Sequence, residues 1–272
     1  MNIYERTIRV PEEGLSTREL FWQLQEVSAA HSEALGFGGA KMEELGLMWV
    51  VVRYLVRAAR WPRGGETLRI ETWPGQVRHS MCPRYYRLLE ADGALLLEGC
   101  CVWAVVDRQS RQMVQPQERG VDIPAVVTGL EAKLPGPLRR PVTDRETAYT
   151  VPEEVLDQNG HMNNTRYFDL AERCAGLDAR TRGLTEALAE FQNEALVGDR
   201  LLLRWGLAGD TLTVLGERDG ESVFRMRLSY AGEEDSERIS ARLQKSIEDI
   251  SAGRIISQEQ LDEKMRERFA RE

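Results

Sequence analysis

The sequence predicts an α+β protein made of two tandem copies of one unit, a helix packed on a curved antiparallel sheet. Three observations carry this. Short motifs recur in the same order in both halves of the chain. Each half also reads as a strand, a helix and then four strands. A stretch with prolines at 116, 124, 135, 137 and 141 separates the halves. The recurring motifs are Val10-Pro-Glu-Glu13 with Val151-Pro-Glu-Glu154, Gly65-Glu-Thr-Leu68 with Gly198-Asp-Arg-Leu201, and Glu90-Ala-Asp-Gly93 with Glu217-Arg-Asp-Gly220. Their separations are 141, 133 and 127 residues, so the second copy has the shorter connections. Two such copies on one chain form a pseudo-dimer.

The first copy opens with a strand over 2–10 and a turn. Leu20, Leu24, Val27 and Ala34 then give a helical stripe over 17–35. Segments 48–58, 66–73, 84–90 and 95–106 are rich in β-branched and aromatic residues and read as strands. Asp92-Gly93 marks a hairpin. In the second copy a strand over 146–152 precedes a helix over 164–176, striped by Tyr167, Leu170, Ala171 and Cys174. Strands over 186–194, 200–207, 211–217 and 222–230 follow, with Asp219-Gly220 as the matching hairpin. The domain division is 1–112, a linker over 113–141, and 142–232. Residues 233–272 form a tail outside both copies. There Ile239, Leu243, Ile247 and Ile250 predict an amphipathic helix, and Ser257 with Gln260 predicts the start of a last one.

Length and composition narrow the function. A chain of 272 residues fits one large domain or two small ones. No apolar run of about 18 residues occurs, so no membrane span is expected. The first residues lack a basic-then-apolar signal segment. Cys82, Cys100, Cys101 and Cys174 show no C-x-x-C spacing, so neither a disulfide framework nor a zinc site is suggested. The cytoplasm is the expected compartment. The net charge of −8 divides into +1 over 1–140 and −9 over 141–272, which argues against nucleic acid as a partner. Arg53, Arg57, Arg60, Arg63, Arg69, Arg78, Arg84 and Arg87 form a local arginine-rich stretch. It reads as charge on strand faces or, more sharply, as a landing surface for an acidic partner.

The densest polar cluster is Asp157-Gln-Asn159-Gly-His161-Met-Asn163-Asn164-Thr-Arg-Tyr167. Only His31 and His79 are histidines elsewhere, and they read as a core or boundary residue and a solvated loop residue. Alternation would point Asp157, Asn159 and His161 to one side of an extended segment. That aims an acid, an amide and an imidazole at one point, as acid–base chemistry requires. A polar turn capping a helix is the plainer reading. It accounts for Asn-Gly and leaves unexplained a histidine flanked by an acid and three amides. At the offset of 141 the three residues fall on Ser16, Arg18 and Leu20, so the first copy keeps the frame without the cluster.

These residues resemble the acyl-carrier-protein thioesterases, a family of two fused hot-dog domains. Their second domain carries Asp-x-Asn-x-His-x-Asn-Asn-x-x-Tyr, matched by Asp157, Asn159, His161, Asn163, Asn164 and Tyr167. Trp49 to Arg53, Arg60 to Thr67, Glu71-Thr-Trp-Pro74 and Val102-Trp-Ala-Val-Val-Asp107 are similar to the first domain. The resemblance covers roughly 1–232. It implies hydrolysis of acyl-ACP to free fatty acid and holo-carrier, with acidic acyl carrier protein as partner. It implies no cofactor or metal, and it leaves a homodimer open. The family places an acid on a later strand, usually followed by cysteine. Glu194 matches the acid, while Ala195 stands at the cysteine position. That departure favours water attack assisted by a carboxylate over a cysteine nucleophile. By this reading Glu194 and His161 activate the water, Asn159 holds it or the thioester oxygen, and Asp157 either orients His161 or acts as base or nucleophile. Asn163, Asn164 and the free amides of the 164–176 helix would receive the thioester oxygen. The acyl slot falls in the first domain, with Val50, Val52, Leu55, Trp73 and Trp103 as candidates. Acyl-CoA hydrolysis, a hot-dog hydratase and an acyl-binding protein with a decayed site are the rival readings.

Overall fold

The computed structural model describes residues 3–157 and 159–232. The first half comprises β1 (Tyr4–Arg9), α1 (Thr17–Ala34), α2 (Gly39–Glu44), β2 (Leu47–Ala58), β3 (Thr67–Pro74), β4 (Met81–Leu89), β5 (Leu95–Asp107) and the two-residue β6 (Met113–Val114). The second comprises β7 (Arg145–Thr150), α3 (Arg166–Ala175), α4 (Ala179–Arg182), β8 (Leu184–Phe191), β9 (Arg200–Ala208), β10 (Thr211–Arg218) and β11 (Glu221–Tyr230). All strands share one antiparallel sheet in the order β1-β3-β4-β5-β2-β8-β11-β10-β9-β7, with β6 beside β5. Matching β1 to β5 with β7 to β11 makes that order read the same from both ends. It is a double hot-dog, joined edge to edge at β2 and β8.

The repeat is visible in individual hydrogen bonds. Val10 N–H donates to Glu66 O at 2.8 Å and Val10 O accepts from Gly65 N–H at 3.1 Å. Val151 makes the same pair with Asp199 O at 3.0 Å and Gly198 N–H at 2.8 Å. At the seam Leu55 lies opposite Leu188, flanked by the cross-strand pairs Arg53–Glu190 and Arg57–Glu186 at 2.8 and 2.9 Å. Arg53 meets a buried Glu190, whereas Arg57 and Glu186 are more open, so removing one partner of the first pair should cost more than removing one of the second. Above the seam the helices meet through Phe21 and Phe168, stacked with ring centroids 3.9 Å apart. An Arg18–Asp169 ion pair at 2.9 Å borders that contact.

The helices form for local reasons. Ser16 caps α1 in a capping box with Glu19, and Leu20, Phe21, Leu24 and Val27 bury one face on the sheet. Gly176 ends α3 in the left-handed region at φ 65°. The inner sheet face contributes Tyr54, Val56, Ile70, Tyr86, Leu88 and Cys101 to the core beneath the helices. On the opposite face Leu55, Trp73, Tyr85, Cys100 and Leu188 are covered by Val126, Leu130, Ala132, Leu134 and Leu138. The segment expected to link the halves therefore also roofs the seam.

Predicted and observed strands agree closely, with three additions and one correction. The sequence reading lacked α2, β6 and α4, all too short to show a period. The strand expected over 186–194 ends at Phe191, so Glu194 stands in a loop. The helices expected in 233–272 lie outside the described residues. Among the described residues no helix is long and apolar enough to cross a membrane. Most of the arginine stretch serves the sheet, since Arg53, Arg57, Arg60, Arg69 and Arg87 all pair with carboxylates.

Candidate active site

The polar cluster lies where the second half departs from the first. In the first half six residues separate Val10 from the start of α1 at Thr17, whereas fourteen separate Val151 from the start of α3 at Arg166. The excess is a loop. Leu156 bridges Met162, Asp157 N–H donates to His161 O at 2.9 Å, and Gly160 N–H donates to Asp157 O at 3.0 Å. Gly160 has φ of 82°, which glycine adopts without steric cost. Asp157 Oδ1 accepts Asn159 N–H at 2.8 Å, an Asx turn.

Two expectations are corrected here. Asp157, Asn159 and His161 do not project from one side of an extended strand; a tight turn gathers them. Nor do they stand opposite Ser16, Arg18 and Leu20, because the offset of 141 ends at Leu156 and resumes as 149 at the helix. Thr165 is the residue in the place of Ser16.

His161 lies between two carboxylates. Its Nδ1 is 3.4 Å from Asp157 Oδ2, and its Nε2 is 3.9 Å from Glu194 Oε1. The Nε2 atom is buried and has no hydrogen-bond partner among the described residues. Glu194 is held from two directions. Arg218 Nη1 donates to its backbone oxygen at 3.0 Å and pairs with Asp199. Arg111 Nη1 reaches Glu194 Oε1 at 3.0 Å from the β5–β6 hairpin of the first half. The adjoining Ala195 is buried, and its carbonyl accepts Met162 N–H at 2.8 Å, tying the two loops together.

The amides take different parts. Asn163 is buried and its Oδ1 accepts both Thr165 N–H (2.9 Å) and Thr165 Oγ–H (2.6 Å). That bond pair launches α3, whose cap residue Thr165 makes no side-chain cap of its own. Asn159 and Asn164 line the cavity. Tyr167 packs between Phe191 and Phe224, with centroids 5.5 and 4.7 Å away.

A cavity of about 930 Å³ runs from this cluster into the first half. Asp157, Asn159, His161 and Glu194 line one part; Val50, Val52, Trp103, Phe37 and Met42 line another. The space exists because β2 pairs with β8 only through 53–57, leaving 48–52 to border the cavity. Of the residues proposed for the acyl slot, Val50, Val52 and Trp103 are in place. Leu55 and Trp73 are not: both lie with Tyr85 and Cys100 in the cluster roofed by 126–138, and neither lines the cavity. The α2 segment supplies wall that the sequence reading did not foresee.

One wall is polar. Gln25, Ser28, Ser32 and Arg84 face the cavity. The buried Arg84 guanidinium donates to His31 Nδ1 at 3.1 Å, Thr72 Oγ1 at 3.3 Å and Ser32 Oγ at 3.2 Å. Burial, and then the Arg84 charge, push His31 down to about 4, so it is neutral at pH 7 and accepts that bond. His31 is therefore a core residue, and His79 is an exposed turn residue, as their contexts suggested. Cys82 is the cysteine that lines the cavity, and burial pushes its thiol up to about 12. It is not a thiolate at neutral pH.

Comparison with known proteins agrees with the frame. Residues 11–121 match the family model described as the acyl-ACP thioesterase N-terminal domain. A palmitoyl-acyl carrier protein thioesterase of Cuphea hookeriana is 26% identical over 159 residues, which is 53% of this chain and 38% of that protein. A dodecanoyl-[acyl-carrier-protein] hydrolase of Cinnamomum camphora is 26% identical over 188 residues, 61% of this chain and 49% of that protein. The alignments thus span less than half the length of these curated relatives. An acyl-ACP thioesterase structure from Bacteroides thetaiotaomicron superposes with a TM-score of 0.72 at 19% identity, covering 85% of this chain and 98% of that one. It shares the fold. The first half of the chain thus matches the acyl-ACP thioesterase N-terminal family model, and the whole double frame has the fold of the Bacteroides structure.

Proposed function

We propose that this protein hydrolyses the thioester of acyl-[acyl-carrier-protein], releasing a free fatty acid and holo-carrier. The observation that carries the proposal is His161, flanked by Asp157 and Glu194, at one end of a cavity whose other end is lined by Val50, Val52, Trp103, Phe37 and Met42. The acyl chain would lie along those first-half residues within 1–112. Residues 142–232 would do the chemistry.

A water within reach of both Glu194 Oε1 and His161 Nε2 can lose a proton as it attacks the thioester carbon. Asp157 Oδ2, facing Nδ1, favours the tautomer with its proton there and leaves Nε2 free to accept. Its other oxygen is engaged by Asn159 N–H, which supports an orienting role over attack by Asp157 itself. The start of α3 and the amides of Asn159 and Asn164 offer donors and a positive dipole end to the developing oxyanion. When the tetrahedral intermediate collapses, the C–S bond breaks and the proton taken from water passes to the departing thiolate. The neutral Cys82 thiol and the alanine at 195 support a water nucleophile.

Carrier preference decides between this reading and an acyl-CoA hydrolase with the same residues. Matched acyl-ACP and acyl-CoA series of several chain lengths, assayed for released fatty acid, would separate them. We expect a higher kcat/KM on the carrier protein throughout. Preference for the CoA series would assign the second activity, and no release from either would leave an acyl-binding protein. Sedimentation of the whole chain would show whether it also forms a homodimer.

A further inference from the structure

We infer that Arg111 is a positioning residue of this hydrolytic site, supplied by the half of the chain that has no catalytic loop. The inference rests on the hydrolytic reading above. Glu194 Oε1 lies 3.0 Å from Arg111 Nη1 and 3.9 Å from His161 Nε2, so one carboxylate oxygen faces both groups. Glu194 stands in an irregular loop, and its side chain is partly exposed. Left alone, such a side chain samples several rotamers, and holding one of them costs conformational entropy. Arg218 fixes its backbone oxygen. Arg111 fixes the carboxylate.

The hairpin that presents Arg111 is built to do so. Arg111 sits at φ 57°, in the left-handed region that non-glycine residues seldom adopt. Its N–H donates to Asp107 O at 2.9 Å, and Asp107 N–H donates to Gln112 O at 3.0 Å. Asp107 Oδ1 gathers the N–H groups of Gln109 and Ser110 and the Ser110 hydroxyl, while its other oxygen pairs with Arg119 at 2.9 Å. This closed turn sends the Arg111 side chain across the gap between the halves, past Met48 Sδ at 3.8 Å, to Glu194. An exposed ion pair of this kind adds little to stability, so its effect belongs to the orientation of Glu194.

The test compares wild type with Arg111→Met and Arg111→Lys, and repeats Arg111→Met in a Glu194→Gln background. Acyl-ACP turnover and thermal melts are the readouts. We expect Arg111→Met to lower kcat about ten- to a hundredfold. KM should stay within about twofold, and the melting temperature should hold because the pair is exposed. Arg111→Lys should recover part of the loss. In the Glu194→Gln background Arg111→Met should cost little more, because the group it positions is already gone. An unchanged kcat overturns the inference, and so does a full additional loss in the Glu194→Gln background. A change confined to KM overturns it too, by assigning Arg111 to carrier binding. An inactive wild type would instead sink the hydrolytic reading on which the inference stands.

Discussion

The two halves solve the same local problem in opposite ways. Three residues beyond the end of β2 stands Trp61; three residues beyond the end of β8 stands Glu194. Leu55 and Leu188, paired across the seam, carry the same offset of 133 and make the two positions equivalents. Trp61 is buried, and its Nε1–H donates to Leu15 O at 2.7 Å. The indole thus closes the first half on the residue that matches Leu156. In the second half a small carboxylate replaces the indole, and an eight-residue loop carrying His161 enters beside it. One copy spends the position on core packing, the other on a polar site beside a cavity. The first half in turn contributes cavity wall and Arg111.

The largest effect should come from making the second half like the first. Deleting 157–164 joins Leu156 to Thr165-Arg166, as Leu15 joins Ser16-Thr17. We expect a folded protein by circular dichroism, melting lower because the buried Met162 is lost, with hydrolysis reduced by at least about a thousandfold. Next comes the reciprocal pair. Trp61→Ala should cost about 3–5 kcal/mol of stability in urea unfolding. Glu194→Ala should cost less than about 1 kcal/mol and lower turnover by about 10²–10⁴. Similar stability losses for both would deny that the equivalent positions have diverged.

A smaller effect is tied to pH. Glu172 on α3 is buried and accepts from Thr17 Oγ at 2.7 Å and Tyr230 OH at 3.0 Å. Burial raises its pKa from 4.5 to about 7, against the opposing pull of those two hydroxyls. The folded state therefore holds this proton to higher pH than the unfolded chain does. The stability it contributes is full at acid pH and is lost as pH rises from 4.5 through about 7. Glu172→Gln should flatten that part of the stability profile, a change of up to a few kcal/mol near pH 8. A wild-type profile already flat from pH 5 to 8 would contradict it. The smallest expected change is at the helix starts. Ser16→Ala removes the α1 capping box and should cost about 1 kcal/mol. Thr165→Ala at the equivalent place should also remove the hydroxyl bonded to Asn163, so its cost reports the different device that starts α3.

Much of this was legible in the sequence because it rests on short-range signals. The strand and helix periods, the Asp-Gly hairpins and the doubled Val-Pro-Glu-Glu mark nearly every element. The composition of Asp157 to Asn164 marks the candidate site, whose residues meet at the cavity. What stayed hidden depends on distance along the chain. Nothing near Arg111 reports that it meets Glu194 83 residues later. The face on which Trp73 falls depends on the phase of its strand, and one residue of phase reverses it. The extra loop changes the offset between the halves from 141 to 149 after Leu156, and no repeated motif inside it marks the insertion.

The most direct test of the central claim is fatty-acid release from acyl-ACP by wild type beside His161→Ala, with both proteins shown to be folded by thermal melt. The account predicts turnover by wild type and a loss of about a thousandfold or more in the variant. Release by a folded His161→Ala protein at the wild-type rate would contradict it.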